Sequence, residues 1–279
     1  MHNNQIHPTA YVEDGATLGK NVTIEPFAVV KKNVILHDNV IIKSFAYIDG
    51  YTEVGEGTVI YPSASIGTKT QDKKYRGEKT YVKIGKRCEI REFVTVNSSC
   101  GEESQVVIGD DVLIMAYSHV AHDCVIGNKV ILTNNASLAG HVTIEENAII
   151  GGMTGIHQHV RIGRHAMIGG MSRITHDIPP YLIGAGIPFK FGGINLVGLK
   201  RHNFPIETRQ LLSDAFHLLY RSDMKFQEAL EYIKNNMEQT PEIVHFYTFC
   251  KETSRGLMND QTKSESESLG APLAGAGKA

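Results

Sequence analysis

The chain repeats itself every six residues. Of the 29 positions from 6 to 174 whose numbers are multiples of six, 26 hold Ile, Leu or Val, from Ile6, Val12 and Leu18 to Ile162, Ile168 and Ile174. Asp72, Glu78 and Glu102 are the exceptions. Four residues after each aliphatic stands a small or slim residue, such as Ala10, Ala28, Ala46, Ser118, Cys124, Ala136 and Thr154. Glycine often follows the aliphatic directly, as at Gly109, Gly127 and Gly151. An amphipathic helix repeats every 3.6 residues and a half-buried strand every two, so neither element alone gives this pattern. Short strands joined by tight turns do, with large and small inward positions alternating. Three six-residue units close a triangular coil, and stacked coils pair strand on strand at about 4.8 Å. The expected fold is therefore mainly β: a parallel β-helix whose prism is filled by aliphatics. One coil cannot bury its own inner face, so stability comes from stacking. The phase leaves room for about nine or ten coils before residue 180.

The phase breaks twice and resumes in register, which predicts two loops leaving the prism. The first, at about 67–83, carries Asp72, Lys73, Lys74 and Tyr75; the second, at about 97–107, carries Ser98, Ser99 and Cys100 and reads as a solvated excursion. Loops on a rigid scaffold often carry function. Pro179 and Pro180 end the repeat by removing two ladder donors. The first domain is thus 1–183. Residues 184–260 read as an irregular linker, around Gly184 to Pro188, followed by a helical domain. Leu211, Leu212, Ala215, Leu218 and Leu219 recur at helical spacing, and two more helices are expected near 224–237 and 241–252. Ser222-Asp223, with Glu228 beyond, reads as the clearest helix start. The stretch 261–279 is rich in Ser, Gly, Ala and Glu and reads as disordered. Because an open β-helix end exposes strand edges, the helical part is expected to cap the last coil or to pack between subunits.

Composition narrows the function. With 28 basic and 30 acidic residues there is no basic excess to neutralise nucleic-acid phosphates. No stretch approaches the roughly 20 apolar residues of a membrane span, and the polar N-terminus does not read as a signal peptide. Cys88, Cys100, Cys124 and Cys250 show no Cys-x-x-Cys pairing, which suits a reduced, cytoplasmic protein.

Thirteen histidines are many for such a chain. Residues one coil apart should lie above one another, so Asp123, His141 and His159 form one predicted column and His122, Gly140, Gln158 and His176 the next. His119 and His157 fall near the same edge. Three readings compete: a solvated ladder, a metal site built on histidine, or acyl transfer. For the last, a hydroxyl attacking a thioester needs a base near neutral pKa, a carboxylate to orient the ring and a backbone N–H facing the oxyanion. Cys124 has the phase of an inward corner residue and reads as core.

The segments His119-Val120-Ala121-His122-Asp123-Cys124, Asn134-Asn135-Ala136-Ser137-Leu138-Ala139-Gly140-His141, Ile150-Gly151-Gly152-Met153 with His157-Gln158, and Asp177-Ile178-Pro179-Pro180-Tyr181 resemble the signature of the UDP-N-acetylglucosamine O-acyltransferase family. The likeness runs from about residue 6 to 258. It implies a left-handed β-helix and a homotrimer with a site between neighbouring prisms. It also implies acyl transfer from acyl carrier protein to the 3-hydroxyl of UDP-N-acetylglucosamine, the first step of lipid A biosynthesis, with no metal or organic cofactor. His122 would be the general base, Asp123 its support and Gly140 the oxyanion donor. His119, His141, His157 and Gln158 would position substrate, with Asp72 and Lys74 at the sugar and phosphate and Asn195 and Arg201 at the nucleotide end. Gly170 would mark the end of the acyl chain, and a glycine there implies a long chain. Val197, His202, Tyr117 and His159 depart from the family's usual residues, the last two in ways expected to reshape the acyl pocket. The rival readings are an amine-acylating relative of the same pathway, expected to carry an extra N-terminal domain where repeats here begin at Ile6, a coenzyme-A-dependent acetyltransferase, and a non-catalytic scaffold.

Overall fold

The computed structural model describes residues 3–259; the tail expected to be disordered, 261–279, lies outside the described residues. The six-residue phase becomes three sheets of 11, 9 and 8 strands, visited in rotation by two-residue strands such as Gln5–Ile6, Tyr11–Val12 and Thr17–Leu18. One coil later, Thr23–Ile24 pairs in parallel with Gln5–Ile6. From Val22 to Ile178 the inward aliphatics are almost fully buried. Ile6, with no coil beneath it among the described residues, is 44 % exposed. The chain is thus a parallel β-helix.

Most corners are turned by a residue in the left-handed region, such as Asn21 (φ 56°), Asn33 (66°), Asp123 (59°), His141 (60°) and His159 (62°). After glycine, that region is least costly for asparagine, aspartate and histidine. The corner side chains of successive coils meet one another, and so Phe27 stacks on Phe45 at 5.2 Å and Phe93 on Tyr117 at 4.9 Å. The residue just before each corner keeps its N–H out of the ladder. Pro8, Pro26 and Pro62 occupy this position, where no donor is needed. At other corners a neighbouring carboxylate takes the N–H, as Asp38 does for Lys20, Glu13 for Lys32 and Glu145 for Arg164. The coil therefore builds a row of outward N–H groups suited to anionic oxygens.

The two excursions add whole repeats. Tyr81–Ile84 pairs with Tyr51–Val54 and Gln105–Ile108 with Tyr81–Ile84, so the coil holding the first loop is two hexads longer and that holding the second one hexad longer. The loops are tighter than expected, since strands run to Thr68 and Asn97 and resume at Tyr81 and Gln105. Nor is the second a solvated excursion at its start: Asn97, Ser98 and Ser99 are buried.

Residues 184–194 are not the expected irregular linker. Leu182–Ala185 adds to the largest sheet beside Met167–Ile168, and Lys190–Ile194 returns antiparallel to it. This hairpin covers the last coil. A short helix α1, Leu196–Arg201, follows, then α2 (Ile206–Tyr220), α3 (Phe226–Asn236) and α4 (Pro241–Lys251). Phe191 of the hairpin packs on Tyr220 of α2 at 4.6 Å, which ties the helices to the prism. The helix start expected at Ser222-Asp223 lies three residues later. Lys225 is the N-cap and Glu228 accepts its N–H, while the Ser222 hydroxyl donates to the Leu218 carbonyl at the end of α2. Among the described residues no helix is long and apolar enough to cross a membrane.

The junction holds a buried imidazole. His165 lies among Tyr181, His202 and Phe204. Burial, aided by neighbouring His202, Arg164 and His245, pushes its pKa down to about 4. The unfolded chain therefore binds a proton that the folded one refuses between about pH 6.5 and 4, so folding loses stability as pH falls through that window, on the order of 3 kcal/mol in all. Melting curves across this range should show a shallower acid loss for His165→Gln than for the wild type; parallel curves would contradict the assignment.

Candidate active site

One edge of the prism carries Asp123, His141 and His159 at successive corners, as the column predicts. The His141 N–H donates to the His122 carbonyl at 3.0 Å and the His159 N–H to the Gly140 carbonyl at 3.1 Å, which fixes the layers. The His141 and His159 rings stack at 4.4 Å, and His141 meets His122 edge-on at 5.1 Å.

His122 points out of the prism and is largely shielded, with 16 % of its side chain exposed. Its Nδ1 lies 2.9 Å from Asp123 Oδ2. A carboxylate accepts and does not donate, so Nδ1 carries the proton and the lone pair sits on Nε2. Asp123 is itself held: its N–H donates to the buried Ser99 Oγ at 2.9 Å. The first loop folds over the ring and brings Asp72 Oδ2 to 3.6 Å from Nε2. The Lys74 N–H donates to Asp72 Oδ1 at 2.8 Å, and the lysine is exposed.

Gly140 stands one coil from His122. A β-carbon built there would lie 2.3 Å from the His122 ring, so only glycine lets the imidazole occupy this place. Gly140 also holds the position whose N–H leaves the ladder. No acceptor meets that N–H among the described residues, whereas carboxylates meet its counterparts at Lys20, Lys32 and Arg164. A base and a free amide donor thus lie side by side.

The remaining residues divide between edges. His119 bonds Thr95 Oγ1 through Nδ1 at 2.7 Å, and burial lowers its pKa. An open groove of about 370 Å³ runs from His119 past Ser137 and Gly155 to Arg173, with His157 on its wall. Gln158 is exposed beside it. Gly170 lies instead on the edge of Met153 and Met171, where its backbone and that of Gly152 form a bare strip. Asn195 is buried beside the third edge. Its Nδ2 donates to the His165 carbonyl and its Oδ1 accepts from Gly198 N–H, so the amide expected at a nucleotide is here engaged as the cap of α1. Arg201, at the other end of α1, is exposed. One chain therefore does not bring Gly170, Asn195 or Arg201 to His122. The departures divide likewise: His159 sits in the site, while Tyr117 stacks on Phe93 on the edge of Gly170.

Thr95, Ser99 and Arg255 escaped the sequence reading. Thr95 and Ser99 lie 24 residues before their partners, one coil plus the inserted hexad, so carrying the phase through the second loop finds them. Cys124 is core as expected, its thiol pushed up to about 12 by burial and donating to the Ala139 carbonyl. Ligand atoms of His122, Asp123 and His141 lie within 4.8 Å of one another, so these three could also grip a divalent cation.

Residues 177–258 match a family profile described as domain 2 of UDP-N-acetylglucosamine O-acyltransferase, and 105–140 match the bacterial transferase hexapeptide repeat. The chain is similar to the acyl-[acyl-carrier-protein]–UDP-N-acetylglucosamine O-acyltransferase of Chlamydia trachomatis serovar L2, at 65 % identity over 90 % of this chain and 89 % of the relative. That of Chlamydia caviae is 54 % identical over 94 % and 95 %. Among solved structures, a UDP-N-acetylglucosamine acyltransferase from Bacteroides fragilis superposes with a TM-score of 0.89 at 36 % identity, covering 91 % of this chain and 99 % of that one. The enzyme from Francisella novicida gives 0.89 at 32 %, covering 94 % and 99 %.

Proposed function

Because this chain belongs to the UDP-N-acetylglucosamine O-acyltransferase family, we propose that it moves a fatty acyl chain from acyl carrier protein to the 3-hydroxyl of UDP-N-acetylglucosamine, in the first step of lipid A synthesis. The observation that carries the mechanism is the His122 ring, bonded through Nδ1 to Asp123 and seated against Gly140. Nε2 takes the hydroxyl proton as the oxygen attacks the thioester carbon. The Gly140 N–H receives the oxyanion, and Asp123 steadies the imidazolium. Collapse of the tetrahedral intermediate breaks the carbon–sulfur bond, and the leaving thiolate takes the proton back from His122. The polarised pair favours this over cation binding, since Asp123 already orients the base; no cofactor is required.

Asp72, beside Nε2, is suited to accept hydrogen bonds from sugar hydroxyls. Lys74 and Arg201 supply charge for the diphosphate, and Asn195 sets α1 so that Arg201 faces outward. His119, His141, His157 and Gln158 line the approach. These groups occupy different edges of one chain, and a homotrimer would join the edge of one prism to that of the next. The exposed ridge of Phe27, Phe45, Phe93, Tyr117, Met153 and Met171 is a face suited to such burial. We place the reaction in the cytoplasm, as the unpaired cysteines suggest. Assay with UDP-N-acetylglucosamine and a panel of acyl carrier protein thioesters tests the reading. Transfer to the 3-hydroxyl with long chains preferred is expected, because Gly170 leaves the lane open. Preference for chains of about ten carbons would refute the role of Gly170, and transfer to an amine or none at all would refute the reaction.

A further inference from the structure

We propose that Arg255 is a positioning residue that fixes which nitrogen of His157 faces the substrate; the inference rests on the reading of the site given above. After α4 the chain returns to the prism. The Asp177 N–H donates to the Gly256 carbonyl at 3.0 Å, the Met258 N–H to the Asp177 carbonyl at 2.8 Å and the Thr253 hydroxyl to Asp177 Oδ2 at 2.9 Å. Asp177 is fully buried, so this return is pinned. It delivers Arg255 to the groove wall, where Nε donates to the Thr175 carbonyl at 2.7 Å and Nη2 lies 2.8 Å from His157 Nδ1.

A guanidinium has donors only and stays charged. His157 Nδ1 must therefore accept, and the ring proton sits on Nε2. A second contact, from Nδ1 to the Gln158 carbonyl at 3.4 Å, asks for the opposite arrangement. It is long, and the charge-assisted bond at 2.8 Å outweighs it. The two imidazoles are thus set in opposite tautomers. Asp123 leaves His122 with a bare Nε2 that can take a proton, while Arg255 leaves His157 with an Nε2–H that can donate to a carbonyl or phosphate oxygen of the substrate. The segment after α4 in this way reaches the groove through the Arg255 side chain.

A double-mutant cycle on the full-length chain tests this, with UDP-N-acetylglucosamine and an acyl carrier protein thioester as substrates. Arg255→Ala and Arg255→Gln should each lower kcat/KM about tenfold or more, yet add little in a His157→Ala background. Equal losses in both backgrounds, or no loss at all, would overturn the proposal. The ring ¹⁵N shifts of His157, assigned with His157→Gln, give a readout that needs no turnover. A proton on Nε2 in the wild type, with that preference lost in Arg255→Ala, is expected; a wild-type ring protonated at Nδ1 overturns the proposal. A chain without transferase activity would sink the proposed reaction and leave these shifts to judge Arg255.

Discussion

Replacing His122 by alanine should lower acyl transfer by about 10²–10⁴-fold, the usual contribution of a positioned general base. The side chain lies outside the prism, and the inward residues that hold the coil, Val120, Cys124 and Ile126, are untouched. Oligomeric mass and melting temperature should therefore stay near wild type. Single-turnover kinetics with a saturating thioester would read the chemical step. A loss below about tenfold would leave the proton to some other group, and Asp72, 3.6 Å from the same nitrogen, would be the first to test.

Gly140→Ala should be nearly as damaging, although it adds one methyl group. The new β-carbon would stand 2.3 Å from the His122 ring, and the ring, rather than the backbone, is the part free to move. Displacement breaks the Asp123 contact and turns Nε2 away, while the oxyanion donor is crowded at the same time. Removing one oxyanion donor alone costs about 10²–10³-fold elsewhere. The same change in a His122→Ala background should cost much less, because there is no ring left to displace. Equal losses in the two backgrounds would mean that the glycine does not act by making room for the His122 ring.

The prism was legible because its rule is local. A large aliphatic every sixth residue, with a small one four places on, has one economical solution, and both loops preserve the phase by inserting whole hexads. The same arithmetic places Asp123, His141 and His159 in one column. It does not reveal which edges face one another, since phase fixes a residue within its own chain only; Gly170, Asn195 and Arg201, which the resemblance assigns to a site between prisms, lie on other edges of one chain than His122. The hairpin of 182–194 was hidden for a different reason. Its strands are short and broken by Gly184, Gly192 and Gly193, and they are held by pairing with the last coil, a tertiary contact that no local pattern announces. Arg255 was hidden by distance: it meets His157 across 98 residues because a buried aspartate pins the returning chain.

A crystal structure with UDP-N-acetylglucosamine bound would test the central claim most directly. The glucosamine 3-hydroxyl should lie within about 3 Å of His122 Nε2, with the Asp123 contact at Nδ1 retained and the Gly140 N–H open to the attacking side. A sugar bound with its 3-hydroxyl far from that nitrogen, or a His122 ring turned from Asp123 when the substrate enters, would contradict the account.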